Sequence, residues 1–329
     1  MKNILCYCEA NNKTGFGHFS RIVELLRLLK KKNKNSNFFI YTQNKIDAKI
    51  FFKNYKILNT KKPLLKYCEN NKNFYDLIIL DPPYYENKIS SDKKIFKKIF
   101  QIKNRKFKLL KLTDETYPSR QYCDFLINDY PQSKKFSRFY KKINFQMKLY
   151  LGINFFLYPF SSIKKYKNVN KIYDILVVFG GSDRKNLSNK YFNFLKKLNL
   201  KKIFILNKNT FNKLKRFENK NNIIMKYSSR EKFLKLLAQS HTYFSTPSNI
   251  MFEAYALKIK GHVVPIEKRQ QIMGKSFENI GWVKCLPFYK KIKNNNLPEL
   301  IDFNFKHRYE FKYNETLKKQ KKLINILSS

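Results

Sequence analysis

The apolar positions of this chain fall in short runs set between longer amphipathic stretches, the rhythm of strands and helices alternating around a parallel sheet. Runs at Asn3–Cys8, Asn37–Thr42, Asp76–Leu80, Phe107–Leu112 and Asp124–Asn128 predict one set of strands. Tyr173–Phe179, Lys202–Leu206, Asn222–Tyr227, Thr242–Ser245 and His262–Ile266 predict a second. The clearest helix carries Phe19, Ile22, Val23, Leu26 and Leu29 on one face, at the spacing of a helical stripe. Glu315 to Leu327 predicts another helix. The stretch from Pro131 to Asn170 shows no regular period and reads as late elements of the first set plus a link. The expected fold is α/β, with two Rossmann-like lobes and a cleft between them. Residues 1–165 form the first lobe, 166–305 the second, and 306–329 a C-terminal helix.

At 329 residues, 43% of them hydrophobic, the chain is long and apolar enough for two cores. A net charge of +46, from 69 Lys and Arg against 23 Asp and Glu, points first to nucleic acid or an anionic membrane. The charge is spread along the whole chain, however, and accompanies enrichment in Asn, Ile, Phe and Tyr. That pattern is a solvated lysine-rich surface, so no specific nucleic-acid partner is expected. The positive field still favours anionic ligands such as a nucleotide diphosphate, and it is compatible with weak attraction to an anionic membrane surface. Cys6, Cys8, Cys68, Cys123 and Cys285 are odd in number and irregularly spaced, which argues against a disulfide framework. The N-terminus enters a strand directly, and no apolar run reaches the roughly 18 residues of a membrane span. The expectation is a reduced cytoplasmic protein, or one peripheral to the inner face of the membrane.

Candidate chemistry lies in the loops that follow strands. Gly15-Phe16-Gly17-His18 precedes the striped helix. The glycines allow close backbone approach to a ligand, and a histidine at a helix N-terminus is placed to serve as a base. Asp81-Pro82-Pro83-Tyr84 and Thr113-Asp114-Glu115 offer acids at strand ends. In the second set, Gly180-Gly181-Ser182-Asp183 follows a strand and precedes a helix, as a phosphate nest does. Ser248 and Asn249 sit at another helix start, with Glu253 further in, where a carboxylate accepts from ribose hydroxyls. Each motif alone also fits an ordinary turn or cap. His241, His262 and His307 have no acid or cysteine at ligand spacing and read as structural.

Taken in order, these motifs resemble a known family. They are T-G-F-G-H-F-S-R at 14–21, T-D-E at 113–115 with C-D-F-L-I-N at 123–128, G-I-N-F-F-L at 152–157, F-G-G-S-D-R-K-N-L-S at 179–188, P-S-N-I-M-F-E-A at 247–254, and Gln270 followed by Gly281. The chain resembles the UDP-2,4-diacetamido-2,4,6-trideoxy-beta-L-altropyranose hydrolases of the pseudaminic acid pathway and the related spore-coat polysaccharide proteins. More distantly it resembles the UDP-N-acetylglucosamine transferase that makes lipid II. All have the GT-B fold. The resemblance implies hydrolysis of a UDP-activated amino or deoxy sugar at the anomeric carbon, releasing UDP, in surface-glycan biosynthesis of the nonulosonic-acid kind. A GT-B glycosyltransferase is the alternative within the fold, and a basic nucleic-acid-binding protein a remote one.

It further implies that His18 positions or activates the attacking water, with Asp81 and Tyr84 as companion catalytic residues. Glu9, Gly15, Gly17, Arg21 and Asp114 are the implied substrate contacts of the first lobe. Gly180, Gly181, Ser182, Ser248 and Asn249 surround the diphosphate, Glu253 holds the ribose, and Gln270 lies by the sugar or diphosphate. No cofactor and no metal are implied, since helix ends and backbone amides carry the leaving group's charge. Departures from the family fall at Tyr7, Glu9 and Asn11, at Pro82-Pro83, which shift Tyr84 by one residue, at Tyr158-Pro159 in the link, and at Arg269; they bear on which sugar is taken and, less strongly, on hydrolysis itself.

Overall fold

Every expected strand forms, and each takes its place in one of two parallel sheets. The structure, a computed structural model, describes residues 2–10, 17–82, 89–180, 183, 185–292 and 310–328. The chain divides into two units, one of Met1–Leu157 with Asn314–Ser329 and the other of Tyr158–Tyr313.

In the first unit the strands are β1 (Asn3–Cys8), β2 (Asn37–Tyr41), β3 (Lys56–Ile57), β4 (Leu77–Asp81), β5 (Lys108–Thr113), β6 (Phe125–Asn128) and β7 (Lys148–Leu151). Their order is β3-β2-β1-β4-β5-β6-β7, every pairing parallel. Helices α1 (Gly17–Lys32), α2 (Lys45–Phe51), α3 (Leu64–Asn70), α4 (Ile89–Phe100) and α5 (Ser137–Ile143) connect them. Strand side chains alternate between faces. Ile4, Cys6 and Cys8 of β1 therefore pack with Phe19, Ile22 and Leu26 of α1, while Leu5 packs with Leu64, Cys68, Phe96 and Ile99 on the other side. Two apolar faces are what a parallel sheet requires, and near-continuous apolar runs such as Leu77–Leu80 are their sequence mark.

The second unit opens with α6 (Phe160–Tyr166) and holds β8 (Tyr173–Val178), α7 (Leu187–Leu195), β9 (Lys202–Leu206), α8 (Lys208–Leu214), β10 (Asn222–Lys226), α9 (Arg230–Ala238), β11 (Ser240–Ser245), α10 (Asn249–Ala256), β12 (Lys260–Val263), α11 (Lys268–Asn279) and β13 (Val283–Cys285). Its order is β10-β9-β8-β11-β12-β13, again all parallel. Helix α12 (Tyr313–Ser328) then returns to the first unit. Leu323, Ile324 and Leu327 join the core of Ile4 and Ile22. Thr316 Oγ1 donates to Asn154 Oδ1 at 3.0 Å, and Asn33 Nδ2 donates to the Ser328 carbonyl at 3.1 Å.

The stretch 131–170, read as late elements of the first set plus a link, contains α5, β7 and α6, though it shows no regular period in the sequence. Strands β3, β7 and β13 were not expected; all three lie at sheet edges, where a strand lacks the double burial that produces a continuous apolar run. The five cysteines are free and buried. Burial pushes the Cys68, Cys123 and Cys285 thiols up to about 12, so they are unreactive near neutrality. Among the described residues no helix is long and apolar enough to cross a membrane.

Candidate functional site

Residue Cys8 at the end of β1 pairs with Asp81 at the end of β4, so Glu9 and Asp81 leave the sheet side by side. Strand order reverses between these two strands, with β2 and β3 on one side and β5 to β7 on the other. Open α/β sheets bind ligands beyond the carboxyl ends at such a reversal. There, His18 in the first turn of α1 places Nδ1 2.8 Å from Asp81 Oδ1. Arg21, one turn on and on the same helix face, donates from Nε to Asp81 Oδ2 at 3.1 Å and from Nη2 to Oδ1 at 2.5 Å. Its Nη1 reaches Asp129 Oδ2 at 3.4 Å, just after β6. Phe19 and Ile22, the neighbours of these polar residues, turn into the core.

Asp81 is wholly buried and Arg21 is only 7% exposed. Burial works to raise the Asp81 carboxyl, but Arg21 and His18 outweigh it and hold the group below the ordinary carboxylate value. Asp81 is therefore ionised and accepts from Nδ1 of His18, so that the neutral form of the ring carries its lone pair on Nε2. Among the described residues Nε2 has no hydrogen-bond partner. This is the arrangement of a base whose orientation and tautomer are set by a buried acid. Arg21 also comes within 3.5 Å of Nδ1. Both are donors toward Asp81, so that approach is shared attraction to one carboxylate rather than a bond between them. Burial pushes Asp129 up to about 7 against the pull of Arg21, with Asp114 and Asp81 adding to the rise.

The remaining first-unit candidates divide. Gly17 opens α1, and Asp114 is half-buried and close enough to affect both Arg21 and Asp129 electrostatically. Glu9 accepts from Thr42 Oγ1 at 3.0 Å and from the Gln43 amide at 2.7 Å, which ties the end of β1 to the end of β2. Arg21, also an expected substrate contact, is buried against Asp81 and Asp129. Gly15 and Tyr84 lie outside the described residues. Asp129 went unnoticed in the sequence because Asn128-Asp129-Tyr130-Pro131 reads as a turn. The available signal was the recurrence of an acid at or just past several strand ends: Glu9, Asp81, Asp114 and Asp129.

In the second unit the strand order reverses between β8 and β11, and Val178 pairs with Ser245. The loop after β8 therefore starts beside the Thr246-Pro247-Ser248 turn. Its backbone is left-handed at Gly180 (φ 80°), Asp183 (φ 37°) and Asn186 (φ 50°). Asp183 stabilises the turn into α7 by accepting from the Leu187 and Ser188 amides at 2.7 and 3.0 Å. Among the described residues a Cβ on Gly180 meets nothing within 4 Å, and its φ of 80° is the reason a glycine suits the position. Gly180→Ala is expected to destabilise the protein by about 1–2 kcal/mol through its left-handed backbone, measured by denaturant unfolding. Gly181 and Ser182 lie outside the described residues.

Ser248 is the N-cap of α10, yet its side chain makes no capping bond. Asn249 is the first residue of that helix and Glu253 lies a turn on, 6% exposed. Arg230 Nε and Nη2 both donate to Glu253 Oε1, at 3.0 and 2.6 Å. Arg230 carried no signal in the sequence, where Ser229-Arg230 reads as an ordinary capped helix start. Gln270 Oε1 accepts from the Ile266 amide at 2.9 Å, which leaves its amide group as the donor end. His241 is exposed and His262 is buried; His307 lies outside the described residues. Among the described residues no three His, Cys, Asp or Glu side chains are grouped to hold a metal ion.

No protein-family model matches the chain. It is 25% identical over 271 residues to UDP-2,4-diacetamido-2,4,6-trideoxy-beta-L-altropyranose hydrolase of Campylobacter jejuni, a span covering 82% of this chain and 93% of that protein. Among solved structures it matches Acinetobacter baumannii MurG with a TM-score of 0.61 at 10% identity, covering 99% of both chains. It matches the UDP-GlcNAc 2-epimerase of Methanocaldococcus jannaschii, in complex with UDP-GlcNAc and UDP, with a TM-score of 0.61 at 14% identity and 99% of both. Arabidopsis thaliana UGT89C1 complexed with UDP gives 0.61 at 9% identity over the full length of both. At such identities the structural likeness is one of fold. The chain has the GT-B fold, and the resemblance carried by its motifs is to the altropyranose hydrolase found in the sequence comparison.

Proposed function

We propose that the protein is an enzyme of UDP-activated sugars that hydrolyses its substrate at the anomeric carbon. Water attacks that carbon, the bond from carbon to the β-phosphate oxygen breaks, and UDP and the free sugar leave. The observation that carries the reading is the His18–Asp81 pair at the switch point of the first unit. The ring nitrogen of His18 that does not face Asp81 is a base suited to removing a proton from water. The left-handed backbone at Gly180, Asp183 and Asn186 and the helix start at Ser248 and Asn249 support a diphosphate site in the second unit, because glycine turns and helix N-termini are where phosphate binds. Glu253, anchored by Arg230 through one oxygen, is placed to receive ribose hydroxyls on the other. The names of the relatives, a UDP-sugar hydrolase and a UDP-GlcNAc epimerase among them, agree with a UDP-sugar substrate.

Transfer to an acceptor hydroxyl uses the same base over the same carbon, and the UDP-bound plant neighbour shares its fold. Incubation with a panel of UDP-sugars in 18O-labelled water, with and without acceptors, separates the two. Hydrolysis places the label on the anomeric hydroxyl of the free sugar, whereas label in UDP or product formation only with an acceptor overturns it. UDP is also expected to bind without added metal. At 100 times its Kd it should add about 2.7 kcal/mol of stability, seen as a rise in Tm. Glu253→Ala should reduce that rise, and a shift seen only with magnesium would refute the assigned site.

A further inference from the structure

Arg21 is shared between two buried carboxylates that it serves unequally. Two of its nitrogens sit on Asp81, at 3.1 and 2.5 Å, and one reaches Asp129 at 3.4 Å. Asp129 is 2% exposed, and its Oδ1 is buried without a hydrogen-bond partner among the described residues. An ionised oxygen left unpaired in the interior is far costlier than a neutral hydroxyl in the same place. The charged groups facing Asp129 are Arg21 from α1, Asp81 at the end of β4 and Asp114 after β5; His18 stands beyond Asp81, hydrogen-bonded to it.

We propose that Asp129 is a positioning residue for His18. With its proton on Oδ1 it leaves the Arg21 fork on Asp81, and when it ionises it draws Arg21 away from the carboxylate that orients the histidine. The proposal deepens the reading of His18 as the base and rests on it for its catalytic consequence alone. The proton is released to solvent as pH rises and no other group is consumed. Because burial raises the Asp129 carboxyl to about 7, the change falls near neutrality: the neutral form prevails below that value and the ionised form above it.

The first test uses the wild-type protein without ligand. With aspartate labelled at Cγ, the Asp129 resonance is expected to titrate near neutrality, well above an ordinary aspartate. Full ionisation already at pH 5 overturns the proposal, whether or not any variant folds. The second test follows the 15N resonances of His18 with pH. Wild type should show a step as Asp129 ionises, and Asp129→Asn, which keeps the planar shape but cannot ionise, should lack it. A step of equal size in both proteins refutes the coupling. In turnover, wild-type kcat should decline above pH 7 through this step with KM unmoved, and Asp129→Asn should lack the decline. A decline kept in the variant refutes the catalytic consequence. The two resonance measurements involve no turnover, so they stand if UDP-sugar hydrolysis is not found, and their failure leaves that activity untouched.

Discussion

His18→Ala is expected to reduce turnover of the UDP-sugar by roughly 10²–10⁴-fold, the usual contribution of a positioned general base. The protein should keep its fold, because the imidazole is no part of the apolar cluster that Phe19 and Ile22 enter. UDP affinity should be nearly unchanged, since the proposed nucleotide contacts lie on α10 and after β8. The measurement is steady-state kcat and KM beside a UDP titration by calorimetry. A variant with full activity sinks the mechanism, and one that loses UDP binding in proportion to turnover moves His18 into the nucleotide site.

The second large effect is on stability. Arg21→Met should destabilise the protein by about 3–5 kcal/mol, because it leaves the buried Asp81 carboxylate without the guanidinium that pairs with it. Unfolding in urea should show a lower midpoint with an unchanged slope. A surface pair offers the contrast: Lys165 and Glu231, both mostly exposed, are 2.7 Å apart, and Lys165→Ala should leave the midpoint where it was. If Arg21→Met behaves like the surface substitution, Asp81 is neutral in the folded protein and forms no ion pair with Arg21.

The difference between these two residues marks how far the sequence could be read. Interior strands were legible because burial on both faces leaves an unbroken apolar run, as at Leu77–Leu80. The edge strands Lys56–Ile57, Lys148–Leu151 and Val283–Cys285 are short and partly exposed, so their pattern resembles loop. His18 was legible because glycines, a histidine and an amphipathic stripe follow one another within a few residues. The partners of Arg21 were not. Its position three residues on from His18 fixes the helix face, but whether that face meets substrate or a buried acid depends on which strand lies beneath it. That is set by the pairing of β1 with β4, between residues more than seventy apart in the chain. Arg230 was hidden for the same reason, since its partner Glu253 lies on the next helix and only packing joins them.

The return of α12 to the first unit has a bearing on how the protein is made. Synthesis proceeds from the N-terminus, and domains fold as they emerge. The second unit, Tyr158–Tyr313, is one uninterrupted stretch and has all its strands before α12 has left the ribosome. The first unit does not. Its sheet is complete once Leu151 is made, yet the face that receives Leu323, Ile324 and Leu327 stays open for the time needed to add more than 150 further residues. During that interval the nascent chain presents an apolar surface of the sort that chaperones hold and that neighbouring chains adhere to. The later-made unit can thus reach its native state first, and the half that carries His18 becomes fully native only when the chain comes back to close it.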